Sequence, residues 1–189
     1  ASRGANIAFS KGIIVIASAG NSGSTANPYV GVPAEATNVL AVGAVRSDEV
    51  YATFSSIGPS FDGRVKPDVM AQGQASVVSN TSGNIVTANG TSFSGPIMAG
   101  MVTSFWSAVP NLTAVDVVQF VKESSDRFTL PTNQYGYGIP DFQLALTNAL
   151  NSESFENEVF LIYPNPVNST IFVKVPDDSV TSVFYLYNN

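Results

Sequence analysis

The hydrophobic positions in the first part of the chain form short blocks separated by polar, glycine-containing segments. Residues 5–12 are predicted to be the last turns of a helix, with Gly12 as its C-terminal stop. Residues 13–17 and 38–45 are short and apolar on both faces, which is typical of buried parallel strands. A loop at residues 20–23 lies between these two runs. This order of elements predicts an open α/β sheet with flanking helices.

The apolar pattern then lengthens into helices. Residues 92–109 carry large apolar side chains around most of the helix circumference, so we predict a helix that is buried on most sides. Two further helices are predicted over residues 113–124 and 141–150. Asp116 and Asp141 lie near the starts of these helices, where a negative charge interacts favourably with the helix dipole.

Strand-like runs occupy two other places. Residues 51–90 are rich in Gly, Pro, Ser and Asn, and short strands are predicted at 75–79 and 84–88. From residue 151 the pattern changes to a polar linker followed by apolar runs of strand type. The predicted organisation is an α/β domain over residues 1–150, a linker over 151–158 and an incomplete all-β module over 159–189, with strands at 159–163, 170–175 and 181–187.

The composition excludes several kinds of chemistry. The chain of 189 residues contains no Cys, so it has no disulfide, no thiolate nucleophile and no Cys-based metal site. It also contains no His, so a His general base cannot come from this chain. The net charge of −6 disfavours nucleic acids and acidic membrane surfaces as partners, and no apolar stretch is long enough to span a membrane. We predict no metal site and no cofactor.

Ser92 is the candidate nucleophile. It lies where a predicted strand ends, the chain turns at Gly90 and the helix of residues 92–109 begins. Unpaired backbone N–H groups and the positive end of the helix dipole stabilise negative charge at such a position. A serine that merely caps the helix is the alternative that the residue type alone leaves open. Residues 90–94 do not match the G-x-S-x-G elbow of lipases and esterases, because Ser94 takes the place of the second glycine.

The segment GTSFSGPIMAG at residues 90–100 resembles the nucleophile segment of the subtilisin-like serine peptidases, the subtilases. Four other segments resemble the same family, in the family's order. They are ASAGNSG at 17–23, GVPA at 31–34 with VLAVGA at 39–44, FSSIGP at 54–59 with KPDV at 66–69, and YGYGIPD at 135–141. The resemblance covers roughly residues 5–150 and implies a partial subtilisin-like parallel sheet.

The resemblance implies a role for each matching residue. Ser92 would attack the scissile carbonyl and form an acyl-enzyme. Asn21 would donate its side-chain amide to the oxyanion together with the Ser92 backbone N–H, which suits a neutral amide on a rigid loop at a strand end. Thr91 and Asn89 would support this oxyanion site and bind the substrate backbone. The implied activity is that of a serine endopeptidase acting on polypeptides.

The resemblance also implies a pocket for the substrate residue before the scissile bond. Residues 17–20, which include Ala19 and Gly20, would form one wall of this pocket, and Gly31 would lie at its base. In the family the peptide bond at the position of Pro33 is often cis, so we expect a cis bond between Val32 and Pro33.

The chain departs from the family where the other catalytic residues are concerned. The family's catalytic Asp and His precede its oxyanion segment, and this chain begins just before that segment. The resemblance therefore implies a C-terminal fragment that is inactive by itself. Asp48, Asp62 and Asp68 lie downstream of that segment and are predicted to be turn or surface residues. A noncatalytic subtilase-like binding module and a scaffold for surface delivery are the alternative functions.

The C-terminal run at residues 159–170, which contains YPNP at 163–166, resembles the start of the C-terminal sorting domain of the type IX secretion system of Bacteroidetes. This second resemblance implies a secreted or cell-surface protein that binds the secretion machinery through a truncated β-sandwich-like domain over residues 159–189. An unrelated β appendage is the alternative.

Overall fold

A parallel three-stranded sheet forms the centre of the fold. The computed structural model describes residues 1–156, 161–163 and 172–174, with side chains for residues 1–151. The strands are β1 (Val15–Ser18), β2 (Val39–Val45) and β3 (Val69–Gln72), arranged in the order β1-β2-β3. All seven residues of β2 are buried because neighbours cover both faces of the central strand. The predicted α/β fold with a parallel sheet is thus confirmed.

Four helices accompany the sheet in the described residues: α1 (Ser2–Phe9), α2 (Thr91–Ala108), α3 (Ala114–Glu123) and α4 (Phe142–Glu156). The predicted bounds of α2 and α3 agree with these within one residue. Helix α1 ends three residues before its predicted stop. Helix α4 continues to Glu156, through residues that the sequence analysis assigned to a linker. The polar run at 151–154 contains no proline or glycine that would end a helix, so the helix can extend into this segment. The linker over residues 151–158 stays a prediction.

Helix α2 packs against all three strands. Its buried side chains include Met98, Val102 and Phe105, which continue the apolar core of β2 onto the helix. Helix α3 begins with a capping box, in which the Thr113 side chain accepts the Asp116 N–H and the Asp116 carboxylate accepts the Thr113 N–H. The packing of α2 on the sheet holds the start of α2 against the carboxyl end of β1. This packing brings together the predicted oxyanion segment at 17–23 and the predicted nucleophile segment at 90–100.

No strand was predicted where β3 lies, and Asp68, which precedes β3, also differs from its predicted position. Asp68 was predicted to lie at a turn or on the surface, but its side chain is buried. Lys66 Nζ lies 2.5 Å from Asp68 Oδ2 and 2.7 Å from the Val39 carbonyl oxygen, while Lys122 Nζ lies 2.9 Å from Asp68 Oδ1. The Ala41 N–H also donates to Asp68 Oδ2. A carboxylate with these partners can be buried, so the surface assignment was wrong.

The other two carboxylates are exposed, as predicted. Asp48 pairs with Arg46 and Asp62 pairs with Arg64 across exposed loops. The hydrogen bond from Arg64 lowers the pKa of Asp62 to about 2. In the buried cluster, by contrast, desolvation lowers the pKa of Lys66.

The polar segment after β3 contains two strands where they were predicted, β4 (Ser76–Ser79) and β5 (Ile85–Ala88), and these two strands pair antiparallel. The chain divides into two compact units, Ala1–Thr147 and Asn148–Asn189. The second unit contains an antiparallel pair, β6 (Leu161–Tyr163) and β7 (Phe172–Lys174). The third strand predicted for this part, residues 181–187, lies outside the described residues. No helix in the described part of the chain is long and apolar enough to cross a membrane.

Candidate active site

The site forms where the loop after β1 meets the start of α2. The side-chain oxygen Oδ1 of Asn21 accepts the Thr91 backbone N–H at 2.9 Å and the Thr91 hydroxyl at 3.0 Å. The Thr91 hydroxyl oxygen in turn accepts the Gly20 N–H at 3.3 Å. These contacts join two segments that lie 70 residues apart in sequence. Thr91, which immediately precedes Ser92, therefore fixes the loop that carries Asn21 at the start of α2.

The hydrogen bonds also determine which way the Asn21 amide points. Both donors from Thr91 require an acceptor, so the oxygen of the amide must face Thr91 and the nitrogen Nδ2 must face away. Within the described residues Nδ2 has no hydrogen-bond partner, and the side chain is exposed. The arrangement presents a neutral N–H donor, held in one orientation, at the mouth of the site.

Gly90 permits the turn that precedes α2. Its φ of 154° is one that residues with a side chain rarely adopt, although a Cβ placed there would make only an ordinary contact, 3.6 Å from Asn21 Nδ2. Its N–H donates to the Gly73 carbonyl oxygen at 2.8 Å, which ties the turn to the segment after β3. The strand-to-helix turn is thus held in place immediately before the first turn of α2.

Ser92 lies exposed in that first helical turn. Neither its backbone N–H nor its hydroxyl has a hydrogen-bond partner in the described part of the chain. The free N–H groups and the dipole of the 18-residue helix α2 favour negative charge at this end. The start of α2 therefore presents free neutral N–H donors beside the exposed side chain of Ser92.

The residues predicted to bind substrate occupy different surroundings. Ala19 is buried and its N–H donates to the Val42 carbonyl oxygen at 2.9 Å. Gly20 is partly exposed beside Thr91, as described above. Asn89 does not join the contact of Asn21 with Thr91, because its Oδ1 accepts the Ala75 N–H at 2.8 Å.

Gly31 lies on an exposed loop, and a side chain added there would meet nothing within 4 Å. The peptide bond that follows, between Val32 and Pro33, is cis as expected. The open space beside Gly31 is compatible with a pocket floor, and its role in substrate binding stays a prediction.

Three further serines contact the site. Each lies in a segment that resembles the family, but none was predicted to act at the oxyanion site. Ser56 donates its N–H to the Gly20 carbonyl oxygen at 2.8 Å, and its hydroxyl oxygen accepts the Ser22 N–H at 3.1 Å. Ser18 and Ser94 both donate their hydroxyls to the Thr91 carbonyl oxygen. The signal in the sequence was their place in the family-like segments at 17–23, 54–59 and 90–100, which does not indicate what each hydroxyl contacts.

Comparison with known proteins supports the family assignment. A statistical model of the Subtilase family matches residues 2–138. Subtilisin DY of Bacillus licheniformis is 39% identical over 111 residues, which is 58% of this chain and 38% of the relative. Serine protease AprX of Bacillus subtilis is 32% identical over an alignment of 154 positions, which covers 69% of this chain and 34% of the relative. The chain thus spans less than two fifths of these two proteins.

Solved structures show the same fold. The self-cleaved protease domain of PatA superposes with a TM-score of 0.67 at 21% identity, covering 79% of this chain and 55% of that one. The prenylagaramide maturation protease PagA superposes with a TM-score of 0.64 at 21% identity, covering 76% and 53%. Together with the match over residues 2–138, these similarities establish that the chain belongs to the subtilase family of serine peptidases.

Proposed function

We propose that this chain is the nucleophile-bearing part of a serine endopeptidase that cleaves polypeptides. The observation that supports the proposal is the oriented amide of Asn21, whose oxygen is bound by Thr91 and whose Nδ2 stays free beside the start of the helix that carries Ser92. An amide held this way can donate to an oxyanion at no cost in reorganisation.

The reaction would proceed through two tetrahedral intermediates. The Ser92 hydroxyl oxygen attacks the scissile carbonyl carbon, and the resulting oxyanion accepts hydrogen bonds from Asn21 Nδ2 and the Ser92 N–H. The C–N bond then breaks, the amine leaves with a proton, and an acyl-enzyme on Ser92 remains. Attack by water on this ester releases the second product and restores the hydroxyl.

Both half-reactions need a general base for the proton of Ser92 or of water. The chain contains no His, so we propose that the family's Asp and His are supplied by polypeptide that precedes this sequence in the full-length protein. Without them, binding and the oxyanion donors leave a rate on the order of 10³–10⁴ over water. The chain by itself is then effectively inactive.

A fluorophosphonate probe tests the proposal on the full-length protein. Such a probe reacts with an activated serine, so we expect a single labelled peptide that contains Ser92, and no label in the S92A variant. The S94A variant is the matched control, because Ser94 lies two residues away and is buried. A folded full-length protein whose Ser92 stays unlabelled would instead support the noncatalytic binding module.

We further propose that residues 159–189 direct secretion to the cell surface by the type IX pathway. The proposal rests on YPNP at 163–166 and is compatible with the antiparallel pair of β6 and β7. Deletion of 159–189 from the full-length protein in its native host should retain the enzyme inside the cell envelope. Unchanged export of the deletion variant would identify the segment as an unrelated appendage.

A further inference from the structure

Ser18 and Ser94 donate to the same acceptor, the carbonyl oxygen of Thr91. Ser18 Oγ lies 2.7 Å from this oxygen and Ser94 Oγ lies 3.0 Å from it. The two hydroxyls differ in where they come from. Ser94 belongs to α2 itself, three residues after Thr91, whereas Ser18 is the last residue of β1 and lies 73 residues away in sequence. Of these two hydrogen bonds, only the one from Ser18 connects the sheet to the helix.

The helix makes room for the Ser18 hydroxyl. Gly95 lies inside α2, and a Cβ at this position would lie 2.9 Å from Ser18 Oγ, which is too close for an unshifted neighbour. Glycine is less favourable than alanine in a helix interior, so the residue at 95 gives up helix stability. Ser18 and Gly95 form a matched pair, since the missing side chain of one accommodates the hydroxyl of the other.

The Ser18 bond completes the restraint of Thr91. The Thr91 N–H and hydroxyl are bound to Asn21, and its carbonyl oxygen is bound to Ser18. Ser18 precedes Asn21 by three residues and Thr91 immediately precedes Ser92. The bond therefore spans the gap between the segment with the oxyanion donor and the helix with the nucleophile.

We propose that Ser18 is a positioning residue, which sets the separation of the Asn21 amide from the Ser92 N–H through its hydrogen bond to Thr91. The inference rests on the proposed peptidase function. Replacement of Ser18 by alanine removes one hydrogen bond of ordinary strength, so kcat of the full-length enzyme on a peptide anilide substrate should fall about three- to tenfold. KM should stay nearly unchanged, because the geometry of the oxyanion donors acts on the transition state rather than on the bound substrate.

The G95A variant separates positioning from stability. The added methyl group displaces the Ser18 hydroxyl, while alanine favours the helix more than glycine does. We therefore expect G95A to lower kcat to the same extent as S18A without lowering the melting temperature. The double variant S18A/G95A should be no slower than S18A, because both changes act through one bond.

Two further variants complete the experiment. In S94A the bond from β1 remains, so its kcat should fall less than that of S18A. In an N21A background, S18A should have little further effect on kcat, since the donor that it positions is already absent. The inference is overturned if S18A keeps the wild-type kcat, or if the losses of S18A and G95A multiply. A wild-type full-length enzyme that cleaves no peptide would instead overturn the proposed function and the positioning role with it.

Discussion

Asn21 accepts both polar hydrogens of Thr91, the backbone N–H and the hydroxyl, on a single side-chain oxygen. The consequence is an amide that cannot rotate without breaking two hydrogen bonds. Under the proposed function Asn21 supplies the oxyanion donor and Thr91 fixes its orientation, so the two roles can be altered separately.

The N21D variant isolates the donor. Aspartate keeps an oxygen toward Thr91 but replaces Nδ2 with a second oxygen that repels the developing oxyanion. We expect kcat of the full-length enzyme to fall by about 10²- to 10³-fold or more, the cost known for an oxyanion donor in a subtilisin, which is a relative of this chain. Steady-state kinetics with a peptide anilide checks this. A loss smaller than threefold would mean that Asn21 does not contact the oxyanion.

The T91V variant tests how Asn21 is held. Valine keeps the backbone N–H but removes the hydroxyl, so the Gly20 N–H loses its acceptor at a cost of about 1–3 kcal/mol. We expect faster hydrogen exchange at the Gly20 amide and slower fluorophosphonate labelling of Ser92. T91S retains the hydroxyl and serves as the control. Equal exchange rates at Gly20 in T91V and the wild type would contradict the assigned contact.

The buried carboxylate of Asp68 should contribute more to the stability of the fold than the amine of Lys66 or of Lys122. D68A leaves Lys66 with no counter-ion in the buried cluster, and we expect it to lose about 3–5 kcal/mol of unfolding free energy. K66M removes one buried charge while Asp68 keeps Lys122, so its loss should be smaller. Urea unfolding of the two variants gives the order. K66M less stable than D68A would show that Lys66 rather than Asp68 holds the cluster together.

Asp62 makes the stability of the fold depend on pH in the acidic range. Hydrogen bonds from Arg64 and Ser60 to its ionised form lower its pKa to about 2, below the ordinary 3.8. A lowered pKa stabilises the fold above pH 3.8, and this contribution is lost as the pH falls through 3.8 toward 2. Carboxyl NMR should place the midpoint of Asp62 near 2 in the wild type and nearer 3.8 in R64Q. Identical midpoints in the two proteins would show that Arg64 does not pair with Asp62 in solution.

The sequence was sufficient to predict those features that depend on a local pattern. The run from 92 to 109 is long and apolar enough to locate α2, and the position of Pro33 in a family motif predicted its cis bond correctly. Strand β3 was missed because four residues between a proline and a glycine give no clear period, and only pairing with β2 makes them a strand.

Asp68 was assigned wrongly for a related reason. A charged residue next to a proline is usually exposed. Of the three partners that make the burial of Asp68 possible, only Lys66 is near in sequence, whereas Ala41 and Lys122 lie 27 and 54 positions away. The same limit applies to the site. The motif singled out Ser92 and Asn21, but Ser18 and Gly95 acquire a meaning only when β1 and α2 are packed together.

Strand β1 pairs with β2 alone among the described strands, so the backbone N–H and C=O groups of its other edge have no strand partner there. A groove of about 470 Å³ runs beside it, with Ile13, Ile16 and Trp106 among its walls. Such an edge is a template for further β pairing, and a preparation of this chain alone will tend to self-associate through it. Under the proposed function, co-expression with the segment that supplies the Asp and His is therefore expected to reduce this self-association.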